Sequence, residues 1–256
     1  MANATAEFLD NNQYTEAQLR KYEVVYGRHF VSPGGERKAR EFVSMLDLKP
    51  GARVLDIGCG LGGSAFLMAR EYGAKVHGID LSSNMIAGAK ERCEREKLGK
   101  LVTLEHGDCL QIKTKNEYAA AYSRDVFLHI TDKPRLFTII KSALTKGGRL
   151  LFTDYCWHEG EKSDAFLAYV EQRGYTLHTI DEYGKLLAKA GFTDIKSEDR
   201  TPQFLTIHQH ELQRLMNNDQ APRKGTAELA QHWAAKISRI ETGEQRWGLF
   251  SARKSA

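Results

Sequence analysis

Val54-Leu55-Asp56-Ile57-Gly58-Cys59-Gly60-Leu61-Gly62-Gly63 is the stretch on which the fold turns. An apolar run passes into a turn that glycines make most comfortably, and helix-forming residues follow at once, with Gly73 as their stop. The missing side chains let a ligand lie against the backbone at the carboxyl end of a strand. The stretch therefore predicts strand 53–57, a ligand-bearing loop, and a helix to Tyr72.

The pattern repeats outward. Further strands are expected over 75–79, ending at Asp80, and over 101–105, 118–122, 149–153, 193–197 and 247–252. Ser82 or Ser83 can cap a helix to about Lys97, and Thr131-Asp132-Lys133-Pro134 reads as another helix start. Helices are also expected over 36–48, 161–173, 180–190, 203–217 and 226–241. Thr15-Glu16-Ala17-Gln18 has the form of a capping box, with Gly27 as a C-terminal stop. Alternating strands and helices imply an α/β fold, a mostly parallel seven-stranded sheet with helices on both faces. The chain reads as one domain over 1–256. Residues 1–50 form an N-terminal helical cap and 51–200 the core. Residues 200–243 form a helical lid inserted before the last strand, and 244–256 that strand and a tail.

Bulk composition narrows the function classes. A 256-residue chain, 41% hydrophobic, can bury a substantial core. No apolar run approaches the roughly 20 residues of a membrane span. The N-terminal MANATAEFLDNNQYTEAQ lacks the basic-then-apolar form of a secretory signal, so a cytoplasmic protein is expected. A net charge of +4, dispersed, argues against nucleic acid as a partner. Cys59, Cys93, Cys109 and Cys156 show no C-x-x-C spacing and read as reduced structural thiols. His208 and His210 point apart on a helix, so no metal is expected.

Gly58, Gly60 and Gly63 also satisfy the dinucleotide pattern G-x-G-x-x-G, so NAD has to be weighed. Asp56 argues against it, because a carboxylate beside the turn repels a pyrophosphate. S-adenosylmethionine (SAM) presents an ammonium and a sulfonium instead. Asp80, at the end of the second strand, could take both ribose hydroxyls, and Asp108, after the third, the adenine amine. Three acids at successive strand ends favour SAM over NAD. Here the sequence resembles the class I SAM-dependent methyltransferase family, whose Rossmann-like sheet has seven strands, the last antiparallel.

A narrower resemblance rests on six segments: Asn11–Thr15, Val31–Gly35, Tyr122–Asp125 with His129, Thr153–Cys156, Tyr169–Tyr175 and Gln245–Gly248. Together they are similar to the phosphoethanolamine N-methyltransferase family, in the single-domain form of malaria parasites. That resemblance implies stepwise N-methylation of phosphoethanolamine to phosphocholine, with S-adenosylhomocysteine released and a small-molecule phosphobase as partner. It implies Tyr14 and His129 as a catalytic dyad, with Asp125 beside the amine. It implies a phosphate site of Tyr155, Tyr169, Arg173, Tyr175 and Lys236. It implies cofactor contacts at Val31, Ser32, Asp56, Gly58, Gly60, Asp80, Leu81, Asp108, Cys109 and Arg124. Val31 stands where an isoleucine is usual, and residues 200–230 diverge, so Lys236 rests on Trp233-x-x-Lys236. A monomer is the expected state.

Residue chemistry leans the same way. Tyr169 and Arg173 share a helix face, and Gly174 can end that helix so that Tyr175 turns inward. Phenols with Arg and Lys suit a phosphate dianion. A neutral imidazole at His129 could take the proton of an acceptor amine. The alternatives are a methyltransferase of another small amine or a lipid, a non-catalytic SAM-binding protein, and an NAD-dependent oxidoreductase.

Overall fold

The computed structural model describes residues 5–217 and 223–255. Two short helices lead the chain, α1 (Ala6–Asn12) and α2 (Glu16–Tyr26), followed by α3 (Gly35–Ser44). The expected capping box is in place: Thr15 Oγ1 accepts from the Gln18 amide, and the Gln18 side chain accepts from the Thr15 amide. The first helix had no sequence signal of its own; Thr5 caps it through the Phe8 amide at 3.1 Å. A seven-residue helix has little stability alone, so its partners hold it in shape.

The core then alternates. β1 (Arg53–Ile57), α4 (Gly63–Tyr72), β2 (Lys75–Asp80), α5 (Ser83–Arg95), β3 (Val102–His106), β4 (Tyr118–Arg124), α6 (Lys133–Ala143) and β5 (Leu144–Trp157) follow in turn. After them come α7 (Asp164–Gln172), α8 (Ile180–Lys189), β6 (Phe192–Asp199), α9 (Thr201–Met216), α10 (Arg223–Glu241) and β7 (Gln245–Lys254). Predicted and observed elements agree in kind, with shifted ends. The helix expected from 161 starts at Asp164 because Ser163 caps the Phe166 amide. The strand expected over 149–153 runs on to Trp157, because β7 pairs with it along that whole length.

The seven strands order as β3-β2-β1-β4-β5-β7-β6, with β7 antiparallel to both neighbours and the rest parallel. β1 is buried from Val54 to Ile57, as a central parallel strand with both faces covered must be. One face packs Phe42 and Phe204 against Trp247, with Phe66 in the same cluster; the other stacks Phe152 on Phe250 at 4.7 Å beside Phe127 and Tyr183. Strand order reverses between β1 and β4, the switch point outside which open α/β sheets bind ligands. α9 and α10 lie between β6 and β7 in the chain, and α10 returns to wall the space above that point. Among the described residues, no helix is long and apolar enough to cross a membrane.

Candidate active site

A cavity of about 860 Å³ opens at the carboxyl ends of β1, β2, β4 and β5, roofed by α1, α2 and α10. The turn after β1 forms its floor. Gly58 has φ +67°, and a Cβ there would meet Val126 at 2.3 Å; a Cβ at Gly63 would strike the His29 carbonyl at 2.7 Å. Side chains are excluded at both positions, and the backbone of Gly58 and Gly60 lines the cavity.

Asp80 sits where β2 ends. Its carboxylate accepts from the Gly60 amide and the Ser82 amide, each at 2.9 Å, which locks it to the turn and to the start of α5. Each oxygen keeps a second lone pair for a ligand. Burial pushes its pKa up, against those two amide bonds. Asp108 accepts from the Leu110 amide at 2.8 Å as the cap of a short 3₁₀ turn, and it lines the same cavity with Leu81 and Cys109. Val31, Ser32, Gly58 and Gly60 line it too.

Asp56 and Arg124 lie deeper. Asp56 faces a small side pocket of about 30 Å³; one oxygen is buried without a partner, and burial, reinforced by Asp80, lifts its pKa to about 7. Arg124 uses its guanidinium as a clamp, donating to the Gly35 carbonyl at 3.1 Å and the Pro33 carbonyl at 2.5 Å. It shapes the Ser32 loop from below, while its Nε remains buried and unpaired.

The other half of the cavity is assembled from distant segments. Tyr14, just after α1, brings its hydroxyl to 3.4 Å from His129 Nε2, and the His129 ring meets Tyr175 edge-on at 5.3 Å. Burial lowers the His129 pKa to about 3, with Arg173 and Lys133 adding to the effect. The ring is therefore neutral at physiological pH. Burial holds Tyr14 in its phenol form.

Asp125 follows β4 at φ +56°, a left-handed conformation that few non-glycine residues adopt, held by its amide donating to the Thr153 carbonyl at 2.8 Å. Trp247 Nε1 and Thr153 Oγ1 donate to Asp125 Oδ1 at 2.8 and 2.9 Å, and Oδ2 is buried and free. Burial raises this carboxyl too, partly offset by Arg124.

Tyr155, Tyr169, Arg173, Tyr175 and Lys236 come together in this half of the cavity. Lys236 donates to the Tyr155 hydroxyl at 3.1 Å, Arg173 Nε donates to the Tyr175 hydroxyl at 3.1 Å, and Tyr169 packs edge-on against Tyr175 at 6.0 Å. Arg173 caps α7, Gly174 takes φ +64°, and the Tyr175 amide returns to the Val170 carbonyl at 3.0 Å. Burial draws Lys236 down to about 7, helped by Arg239.

Three neighbours escaped the sequence reading. Gln13 is 2% exposed and grips Arg173 twice, donating to its carbonyl at 3.0 Å and accepting from its Nη2 at 3.4 Å. Tyr22, on α2, lines the cavity beside Arg173. Arg239 lies 3.8 Å above the Tyr169 ring and donates to Gln245 at 3.2 Å. Arg239 alone had a usable signal, since Trp233, Lys236 and Arg239 recur every three residues and share a helix face. Among the described residues, no group of three or more His, Cys, Asp or Glu could hold a metal.

Comparison with known proteins bears on this geometry. A methyltransferase domain model matches residues 48–219. The phosphoethanolamine N-methyltransferase of Plasmodium falciparum (isolate 3D7) is 35% identical, over 99% of this chain and 97% of that protein. Phosphoethanolamine N-methyltransferase 1 of Zea mays is 44% identical over 96% of this chain, which spans 50% of the maize protein. The chain thus covers about half the length of the plant relatives it matches. Among solved structures, Haemonchus contortus phosphoethanolamine N-methyltransferase 2, in complex with phosphomonomethylethanolamine and S-adenosylhomocysteine, superposes with a TM-score of 0.95 at 35% identity. That match covers 100% of this chain and 61% of that one.

Proposed function

The chain belongs to the phosphoethanolamine N-methyltransferase family, and on that premise we propose that it moves a methyl group from SAM to the nitrogen of phosphoethanolamine, and of its mono- and dimethyl forms, towards phosphocholine. One observation carries the reading. A single cavity runs from the Gly58–Gly63 turn and Asp80 to a cluster of Arg173, Lys236 and three phenols, and Tyr14, within electrostatic reach of both Asp80 and Tyr175, lies between with His129.

At the first end Asp80 would take the ribose hydroxyls and Asp108 the adenine amine, while Val31, Ser32, Leu81 and Cys109 close the walls. Asp56 and Asp125 leave two buried carboxylate oxygens without partners, which suits a cationic ligand and would repel a pyrophosphate. SAM, when bound, supplies a methyl group made electrophilic by the sulfonium. The chain's own residues do the rest.

Arg173, Lys236 and the hydroxyls of Tyr155, Tyr169 and Tyr175 would hold the phosphate through charge-assisted hydrogen bonds. Anchoring it fixes the amine near Asp125 Oδ2 and His129, and this in-line positioning supplies much of the acceleration. The amine arrives protonated. His129, neutral, takes that proton, and Tyr14 steadies the ring edge; a free-enzyme separation of 3.4 Å can tighten on binding. A ring with a pKa of about 3 is a weak base, and Arg173 is one cause of that. A phosphate dianion beside Arg173 offsets its charge, so the substrate's own anchor strengthens the base.

This is a reading of a cytoplasmic, monomeric enzyme that needs no metal and no nucleic acid. The purified chain with SAM and each of phosphoethanolamine, its monomethyl form and its dimethyl form should release S-adenosylhomocysteine. Silence with all three would refute it.

A further inference from the structure

Beneath the acceptor half lie two ionisable groups outside the cavity, Lys133 and Asp154, both with no exposed surface; Lys133 enters the chemistry above only by helping to hold the His129 pKa down. Lys133 opens α6. Its ammonium donates to the Ile130 carbonyl at 2.9 Å and to the Thr176 carbonyl at 2.5 Å, and sits 5.8 Å from the Tyr183 ring centre. Asp154 Oδ2 accepts from the Tyr183 hydroxyl, while Oδ1 is buried without a hydrogen bond, with the Leu128 amide nearby. The Thr176 amide, in turn, donates to the Leu128 carbonyl at 2.7 Å.

These bonds tie the 128–133 stretch to Thr176, and Asp154 on β5 sits against Leu128; an acceptor-site side chain stands next to each of these places. Leu128 and Ile130 flank His129. Thr176 follows Tyr175. Asp154 precedes Tyr155. The proton acceptor and two phosphate-site phenols therefore share one buried foundation. Removing an ammonium and a carboxylate from water is costly, and an apolar pair of the same volume commonly stabilises a fold as well or better. Stability alone is a poor reason for such a pair here, and the carbonyls it fixes supply another.

We propose that Lys133 and Asp154 are positioning residues that set His129 relative to Tyr175 and Tyr155, so that the amine and phosphate of one acceptor are engaged together. The inference rests on the function proposed above. It concerns kcat, because neither residue lines the cavity.

The test compares wild type, Lys133→Met, Asp154→Asn and the double variant, each assayed at a temperature at which circular dichroism shows it folded. Wild-type turnover of a phosphobase is the first arm; its absence would defeat the functional reading and leave the variants out of the question. Given turnover, the double variant decides. It leaves no unpaired buried charge, yet Met cannot hold the two carbonyls. Its kcat should fall by about 100-fold, the scale of a 1 Å misplacement, with Kd for SAM within about twofold of wild type. A double variant with near-wild-type kcat, or one losing SAM affinity in step with kcat, would overturn the proposal in favour of a purely structural pair.

Discussion

The two halves of the cavity are built in opposite ways. The half proposed for the nucleotide is centred on consecutive chain, β1, its glycine turn, β2 and the start of α5, with Asp80 bonded to Gly60 at 2.9 Å and to Ser82 two residues on. Asp108 and the Val31–Ser32 loop only add to its walls. The acceptor half is convergent. Tyr14, His129, Tyr155, Arg173 and Lys236 come from five separate stretches and meet only after the sheet has closed and α10 has returned over it. A local site tolerates change elsewhere in the fold, because its geometry is set by backbone turns. A convergent site depends on every layer beneath it, and that is where small displacements should cost most.

That contrast can be broken, and the acceptor half should break first. His129→Ala is expected to lower kcat by about 10²–10⁴-fold with little change in SAM affinity, because proton transfer is lost while the nucleotide half stays intact. Paired kcat and calorimetric Kd measurements check this, and equal losses in both would erase the distinction between halves. Arg173→Ala should raise the acceptor KM by about 10-fold to 100-fold, the value of a charge-assisted bond, again sparing SAM. An unchanged KM would mean that no phosphate rests there.

The nucleotide half sharpens the comparison in another way. The raised pKa of Asp56 means that folding favours its protonated form. The penalty is therefore absent below the ordinary carboxylate range and grows as pH climbs towards about 7. Asp56→Asn should then stabilise the ligand-free protein at pH 8 by about 2–4 kcal/mol, fading towards pH 4, while weakening SAM binding. Thermal melts across pH, with and without SAM, read both effects. A variant less stable than wild type at pH 8 would count against a strained free carboxylate.

The smallest effect belongs to the roof. Asp10, on α1, accepts from the Ser83 amide at 3.1 Å and the Ser83 hydroxyl at 2.6 Å, as well as from Ser82, pinning the roof to the N-terminus of α5. Asp10→Ala should speed release of S-adenosylhomocysteine about fivefold, the loss of roughly 1 kcal/mol expected of a helix cap. Stopped-flow displacement measures it, and an unchanged off-rate would show that α1 does not hold the product in.

What the sequence made legible follows the same division. The Val54–Gly63 stretch, the acids at the strand ends and the caps at Thr15, Ser82 and Asp132 are local signals, and the elements they predict are present. Most acceptor residues carry no such mark; the Tyr169–Arg173 spacing and Gly174 are the exception. Tyr14 or Tyr155 alone looks like any boundary tyrosine, and only the resemblance drew them together. Gln13 and Tyr22 stayed hidden because their meaning lies in a contact with Arg173 about 150 residues away, which no spacing rule encodes. Lys133 and Asp154 were equally silent, since a charged residue at a helix start normally reads as solvated surface and one within a strand says nothing of a distant partner.

A crystal structure of the protein with S-adenosylhomocysteine and phosphoethanolamine would examine the two halves at once. The account predicts ribose hydroxyls on Asp80, phosphate between Arg173 and Lys236, and the amine within hydrogen-bond distance of His129 or Asp125. A phosphate bound on the Gly58–Gly63 turn, or a nucleotide whose ribose lies away from Asp80, would contradict it.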